Sequence, residues 1–162
     1  MWNETILEGV RKEVAQGEWP KALDIIAEPL HEALYAGGDF EFIQTLPLLQ
    51  QVVICFDYVR QQVLAGGFLQ LVENNYAILI LPLPQWFIAQ GSEEMGRTLD
   101  EALQVFLTHR EQLTKERTVE EFAQLYTNFP HFEDLDKRFE AAYQPAVQAI
   151  VEAVLAEPKG AA

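Results

Sequence analysis

This chain of 162 residues has little cysteine, histidine or positive charge: one Cys, three His and eleven Lys and Arg. The single thiol, Cys55, excludes an internal disulfide framework. It sits between Ile54 and Phe56 in the most apolar part of the chain, where a cysteine acts as a small hydrophobe rather than a nucleophile. His31, His109 and His131 form no H-E-x-x-H pair and have no cysteine or second histidine at ligand spacing. No metal ligands and no cofactor are therefore assigned. Eleven Lys and Arg face 25 Asp and Glu, for a net charge of −14. That shortage excludes a protein that neutralises nucleic-acid phosphates directly, and equally one that sits on an anionic membrane surface. Long apolar runs are scarce too. The longest nearly unbroken one, Tyr76 to Leu83, contains Pro82 and falls far short of the ~20 residues of a membrane helix. Met1-Trp2-Asn3-Glu4 opens the chain without a basic and then apolar leader, so no secretory signal is expected and a reducing cytoplasm is the expected compartment. Glycine-rich phosphate loops, the dinucleotide fingerprint and the G-x-S-x-G elbow are missing.

What is present is helix. The chain is 49% hydrophobic, enough to fill the core of one domain, here taken as residues 1–157 with a frayed tail at 158–162. Thr5 and Glu8 have capping-box spacing for a first helix ending near Gly17, and Pro20 suits the start of the next. Leu23, Ile26, Ala27, Leu30 and Leu34 form one apolar helix face that Pro29 should bend and Gly37-Gly38 should stop. Asp39 can cap a third helix. From Leu48 to Leu64 apolar residues crowd every side, as in the buried centre of a bundle, and Gly66-Gly67 ends that helix before a short one to Asn74. Ala77 to Pro84 reads as a buried extended or helical connector. Ser92-Glu93-Glu94 starts a helix to about Lys115, and Thr118 with Glu121 caps another to Asn128. After Pro130 a last helix, Glu133 to Ala156, carries an apolar stripe that Pro145 should kink. The pattern predicts an all-α, single-domain bundle of about six to eight helices around a central apolar one.

Charge is unevenly spread. Between Lys21 and Arg60 there is no basic residue, while Asp24, Glu28, Glu32, Asp39, Glu41 and Asp57 fall in that interval. Asp24, Glu28 and Glu32 are four apart, hence on one helix face, about 6 Å from one to the next. Such a row costs a helix about 0.2–0.5 kcal/mol per like pair. Phosphates on one DNA strand rise about 3.4 Å each, so a row of carboxylates can imitate them to a basic groove. The plainer reading is a solvated, solubilising face. Glu93, Glu94, Asp100 and Glu101 make a second acidic group. Glu28-Pro29-Leu30-His31 has the spacing of a bundle metal motif, but only once; the plainer reading is a surface histidine among acidic neighbours. Asp134 with Asp136, and Glu93 with Glu94, sit at helix starts, where acidic residues serve the helix dipole.

Two stretches carry a resemblance. Val59-Arg60-Gln61-Gln62-Val63-Leu64-Ala65-Gly66-Gly67-Phe68-Leu69-Gln70-Leu71-Val72-Glu73-Asn74 resembles the V-x-N-G-G-F-x-Q-(aromatic)-(aromatic)-x-N segment of a family of small bacterial helical domains. Most members have no assigned function, and the best-known one is an acidic DNA mimic. Phe132-Glu133-Asp134-Leu135-Asp136-Lys137-Arg138-Phe139, followed by Tyr143, resembles that family's F-x-x-L-D-x-x-(aromatic) segment. The resemblance extends from about Lys21 onward. Ala65 stands where the family has Asn, and Leu71-Val72 replaces its aromatic pair. Gly66, Gly67, Phe68, Gln70, Asn74 and Asp136 keep the motif, and a structural role suits them: a turn glycine, a core plug, and an aspartate that caps or bonds across to the turn.

The resulting expectation is a non-enzymatic acidic domain, monomeric or homodimeric, that binds a basic or DNA-binding protein rather than nucleic acid or membrane. Its contact residues would be Asp24, Glu28, Glu32, Asp39 and Glu41, with Glu93, Glu94, Asp100 and Glu101 as a second patch. A DNA mimic is the sharpest form of that reading. The competing expectation is a small-molecule or metal-dependent enzyme with a polar site near Gln70, Asn74 and Asp136. A third is self-pairing through apolar surface around Ile78 to Phe87.

Overall fold

Asn3 opens the first helix: its side chain accepts a hydrogen bond from the Ile6 amide at 3.0 Å. The structure, a computed structural model, describes residues 1–37 and 40–157. The described residues form nine α-helices and one short 3-10 helix, with no strand. In order these are α1 (Glu4–Ala15), α2 (Trp19–Gly37), α3 (Glu41–Thr45), α4 (Leu48–Glu73), the 3-10 helix (Ala77–Ile80), α5 (Leu83–Ala89), α6 (Glu93–Thr108), α7 (Arg110–Leu113), α8 (Val119–Asn128) and α9 (His131–Ala156). The all-α reading holds. The chain divides into two compact units, residues 1–57 with 144–162 and residues 58–143.

In the first unit, α2 buries Ala22, Leu23, Ile26, Ala27, Leu30 and Leu34, the face its periodicity predicts. The indole of Trp2 donates to the Ile26 carbonyl at 2.8 Å. Val52 to Phe56 of α4 and Ala146, Val147, Ile150, Val151 and Val154 of α9 are buried as well. One expectation changes here. Asn3, not Thr5, is the N-cap of α1, because an asparagine two residues earlier already satisfies the first free amide. α2 continues as one helix through Pro29, as α9 does through Pro145. α3 opens at Phe40 without a side-chain cap; Gly38 and Asp39, expected to stop and start helices there, lie outside the described residues, as does the tail at 158–162.

In the second unit, α4 loses helical geometry at Gly66 (φ −152°, ψ 18°) and Gly67 (φ 75°, ψ 179°) and resumes at Phe68, as the glycine pair predicts. α4 is long and apolar enough to cross a membrane by length and composition alone, but 61% of its most apolar window is buried in the fold, as a core helix requires. The ambiguous connector is helical: the 3-10 turn buries Ala77, Leu79 and Ile80, and Pro84 stands near the start of α5. Ile78 and Leu81 are exposed, whereas Phe87 is buried, so the exposed apolar surface is narrower than Ile78 to Phe87. α6 ends at Thr108 rather than near Lys115, since His109 (φ −112°, ψ 23°) leaves the helix before α7. Thr118 and Glu121 form both bonds of the capping box that opens α8.

Candidate functional site

The buried face of α2 dictates what its other face shows. Asp24, Glu28 and Glu32 are all exposed at four-residue steps, opposite Leu23, Ile26 and Leu30. Among the described residues no Lys, Arg or His lies within ion-pair distance of Glu28 or Glu32. Two side chains of the row therefore face solvent with no cation of the described residues at ion-pair distance. Glu41 is exposed at the start of α3, and Asp39 lies outside the described residues. Asp57, the sixth acidic residue of the interval, is not at the surface. It is only 2% exposed on α4 and lies 2.7 Å from His31 Nε2. His31 is accordingly half-buried rather than a surface histidine, and its partner is Asp57, not Glu28 or Glu32. The His31 ring stacks against that of Tyr35, with centroids 6.3 Å apart and planes at 28°.

Two of the four residues of the second acidic group are paired with arginines. Glu93 pairs with Arg97 at 2.9 Å, and Glu101 takes both arms of Arg138 at 2.7 and 3.0 Å. The Arg138 hydrogen bond holds the Glu101 carboxyl below its usual range, and that same bond raises the Arg138 guanidinium. Glu94 is exposed and Asp100 half-buried.

Two sets of hydrogen bonds lie beside the glycine turn. Gly67 adopts a positive φ that L side chains rarely take, and a Cβ there would come within 2.4 Å of Asp136 Oδ2. Asp136 Oδ1 accepts the Phe68 amide at 2.8 Å, capping the resumed half of α4 from α9, which is the cross-bond expected of it. Burial raises the Asp136 carboxyl above its ordinary range, the Phe68 bond opposes that rise, and Glu140 and Glu133 add to it. Gln70 and Asn74, one turn apart, donate to a single acceptor, Gln62 Oε1, at 3.2 and 2.6 Å. Phe68 is buried edge-on to Phe139 at 5.8 Å. The bonds of Gln70, Asn74 and Asp136 thus go to the chain's own groups, the pattern of a structural joint.

Sequence reasoning missed three features. Arg60, 9% exposed, donates to the Tyr143 hydroxyl at 3.0 Å. Arg117, its side chain 5% exposed, is held by Glu73 at 2.5 Å and by the Gln112 carbonyl at 2.8 Å. Around it runs an open groove of about 510 Å³ lined by His109, Gln112, Lys115, Glu116, Glu121 and Asn128 over Leu125 and Phe129. No periodicity marks these contacts, because each joins residues far apart in the chain or at a helix break. Among the described residues no three His, Cys, Asp or Glu side chains come together as a metal site. Burial pushes the Cys55 thiol up to about 12, so it stays protonated and inert.

The turn capped by Asp136 and plugged by Phe68 joins the two stretches that carry the resemblance. A family model described as DMP19-like protein matches residues 44–156. The chain belongs to the DMP19-like family. Curated proteins give no match. The family match takes in the glycine turn, Asp136 and the second acidic group. It starts later than Lys21, so α2 and its carboxylate row precede it.

Proposed function

We propose that this chain is a non-enzymatic DNA mimic that occupies the basic groove of a DNA-binding protein in the cytoplasm. The observation that carries the reading is the α2 row: Asp24, Glu28 and Glu32, exposed at steps of about 6 Å, with no cation within ion-pair distance of Glu28 or Glu32 among the described residues. Family membership supports it, since the DMP19-like family takes its name from a DNA mimic. Between the two acidic groups, the α2 face is the stronger candidate for contact. Arg97 and Arg138 already compensate Glu93 and Glu101, and a compensated carboxylate attracts a partner's cation weakly. Binding through such a face is fast, steered by charge and weakened by salt.

The test is retention of proteins from a cell lysate on the immobilised chain at low salt, with duplex DNA as competitor. A basic DNA-binding protein should be held and then released by the duplex. The triple variant Asp24→Asn, Glu28→Gln, Glu32→Gln should hold it at least tenfold less well. If DNA fails to displace what is retained, or the triple variant retains it unchanged, the reading falls.

A further inference from the structure

Tyr35 is the most exposed aromatic residue of the described chain, 74% accessible, yet it does not dangle. Its ring lies against His31, and His31 is fixed from behind by the buried carboxylate of Asp57 at 2.7 Å. Asp57, His31 and Tyr35 make a chain of support running outward from the core to an exposed aromatic face. An aromatic held in this way loses little conformational freedom on binding, and rigid tyrosines are over-represented among residues that dominate interface energies.

The position of the ring relative to the charges is as telling. At about 100° per residue, Asp24, Glu28, His31 and Tyr35 fall within a stripe about 60° wide, and Tyr35 lies about 16 Å along the axis from Asp24. Tyr35 also stands in the last turn of α2, where the helix dipole favours a cation and where α2 has no basic residue of its own. A ring face, a helix C-terminal end and uncompensated carboxylates at Glu28 and Glu32 together describe a receptor for a planar cation.

We propose that Tyr35 is the anchor of the α2 surface, receiving an arginine guanidinium of a basic partner protein against its ring while the carboxylates engage that partner's other cations. The inference rests on the acidic-face reading above and adds a chemical preference to it: arginine over lysine. Guanidinium stacks on aromatic faces, whereas a strongly hydrated ammonium gains less there.

Fluorescently labelled nona-arginine and nona-lysine peptides, titrated at low salt, separate the two claims. The wild-type chain should bind both, arginine more tightly. Tyr35→Ala should cut the arginine-to-lysine affinity ratio about three- to five-fold, and Tyr35→Phe, which keeps the ring, should preserve it. Glu28→Gln with Glu32→Gln should weaken both peptides alike. An unchanged ratio in Tyr35→Ala, or equal loss in Tyr35→Phe, overturns the anchor and leaves the acidic face standing. Failure of the wild-type chain to bind either peptide overturns both. Tyr35 is exposed, so far-UV circular dichroism of its variants should match the wild type.

Discussion

At the scale of single residues, Asp136 shows how one side chain serves two purposes that pull its titration in opposite directions. Accepting the Phe68 amide favours the carboxylate, while burial disfavours it, and burial wins. The folded-state pKa therefore lies above that of the unfolded chain, near the ordinary value of about 3.9. In that range the native state binds the proton more readily. Stability from this group is present below the unfolded pKa and is lost as pH rises through the folded one. Asp136→Asn keeps an acceptor oxygen for Phe68 and has no charge to bury. Urea melts across a pH series should show the variant gaining on the wild type as pH rises through this range, with a constant gap at neutral pH. A gap moving the other way would mean that the bond to Phe68 outweighs burial. The sequence already pointed to this residue: a motif aspartate near a glycine pair invites a backbone cap. Tyr35 carries no motif and was not singled out by the same route, although the helical period puts it on the face of Asp24 and Glu28, where it is 74% exposed.

At the scale of elements, helix starts were legible where one strong signal stood alone. Thr118 and Glu121 form the box their spacing implies. At α1 two signals compete within three residues, and Asn3 takes the cap because it comes first. Asn3→Ala should cost about 1 kcal/mol of stability. Thr5→Ala, inside the helix and exposed, should stay within about 0.5 kcal/mol, as surface changes usually do. Chemical denaturation of the two variants compares them directly. Equal losses would return the cap to Thr5. Helix ends were less legible. α6 stops at Thr108 with neither glycine nor proline at hand, while α2 and α9 run on as single helices through Pro29 and Pro145. Packing of an apolar face can outweigh a local penalty of about 3 kcal/mol, and a sequence read in short windows does not weigh the two against each other.

At the scale of the whole chain, the charge of −14 carries a cost in stability. Self-repulsion among carboxylates opposes compactness, and salt screens it. The melting temperature should therefore rise between about 0.01 and 0.3 M NaCl, as the Debye length falls from about 30 Å to below 8 Å. The rise should be smaller in Glu28→Gln with Glu32→Gln, which removes two exposed charges. Scanning calorimetry reads both slopes; a melting temperature that falls with salt would mean that ion pairs such as Glu101 with Arg138 dominate instead. The all-α class and the apolar faces were readable because they follow from periodicity, which is local. The pairing of Glu101 with Arg138 was not, since the two lie 37 residues apart.

The cap on Phe68 spans a still longer interval, for its acceptor is supplied 68 residues later in the chain. A ribosome delivers the glycine turn well before it delivers Asp136. Until α9 is made and docked, the second half of α4 has an amide at its start with no such acceptor, and nothing from α9 selects the angle at which that half leaves Gly67. The Asp136 bond of this joint thus becomes available only once α9 has been made. A chain cut short before α9 would keep the sequence of the turn and lose the group that completes it.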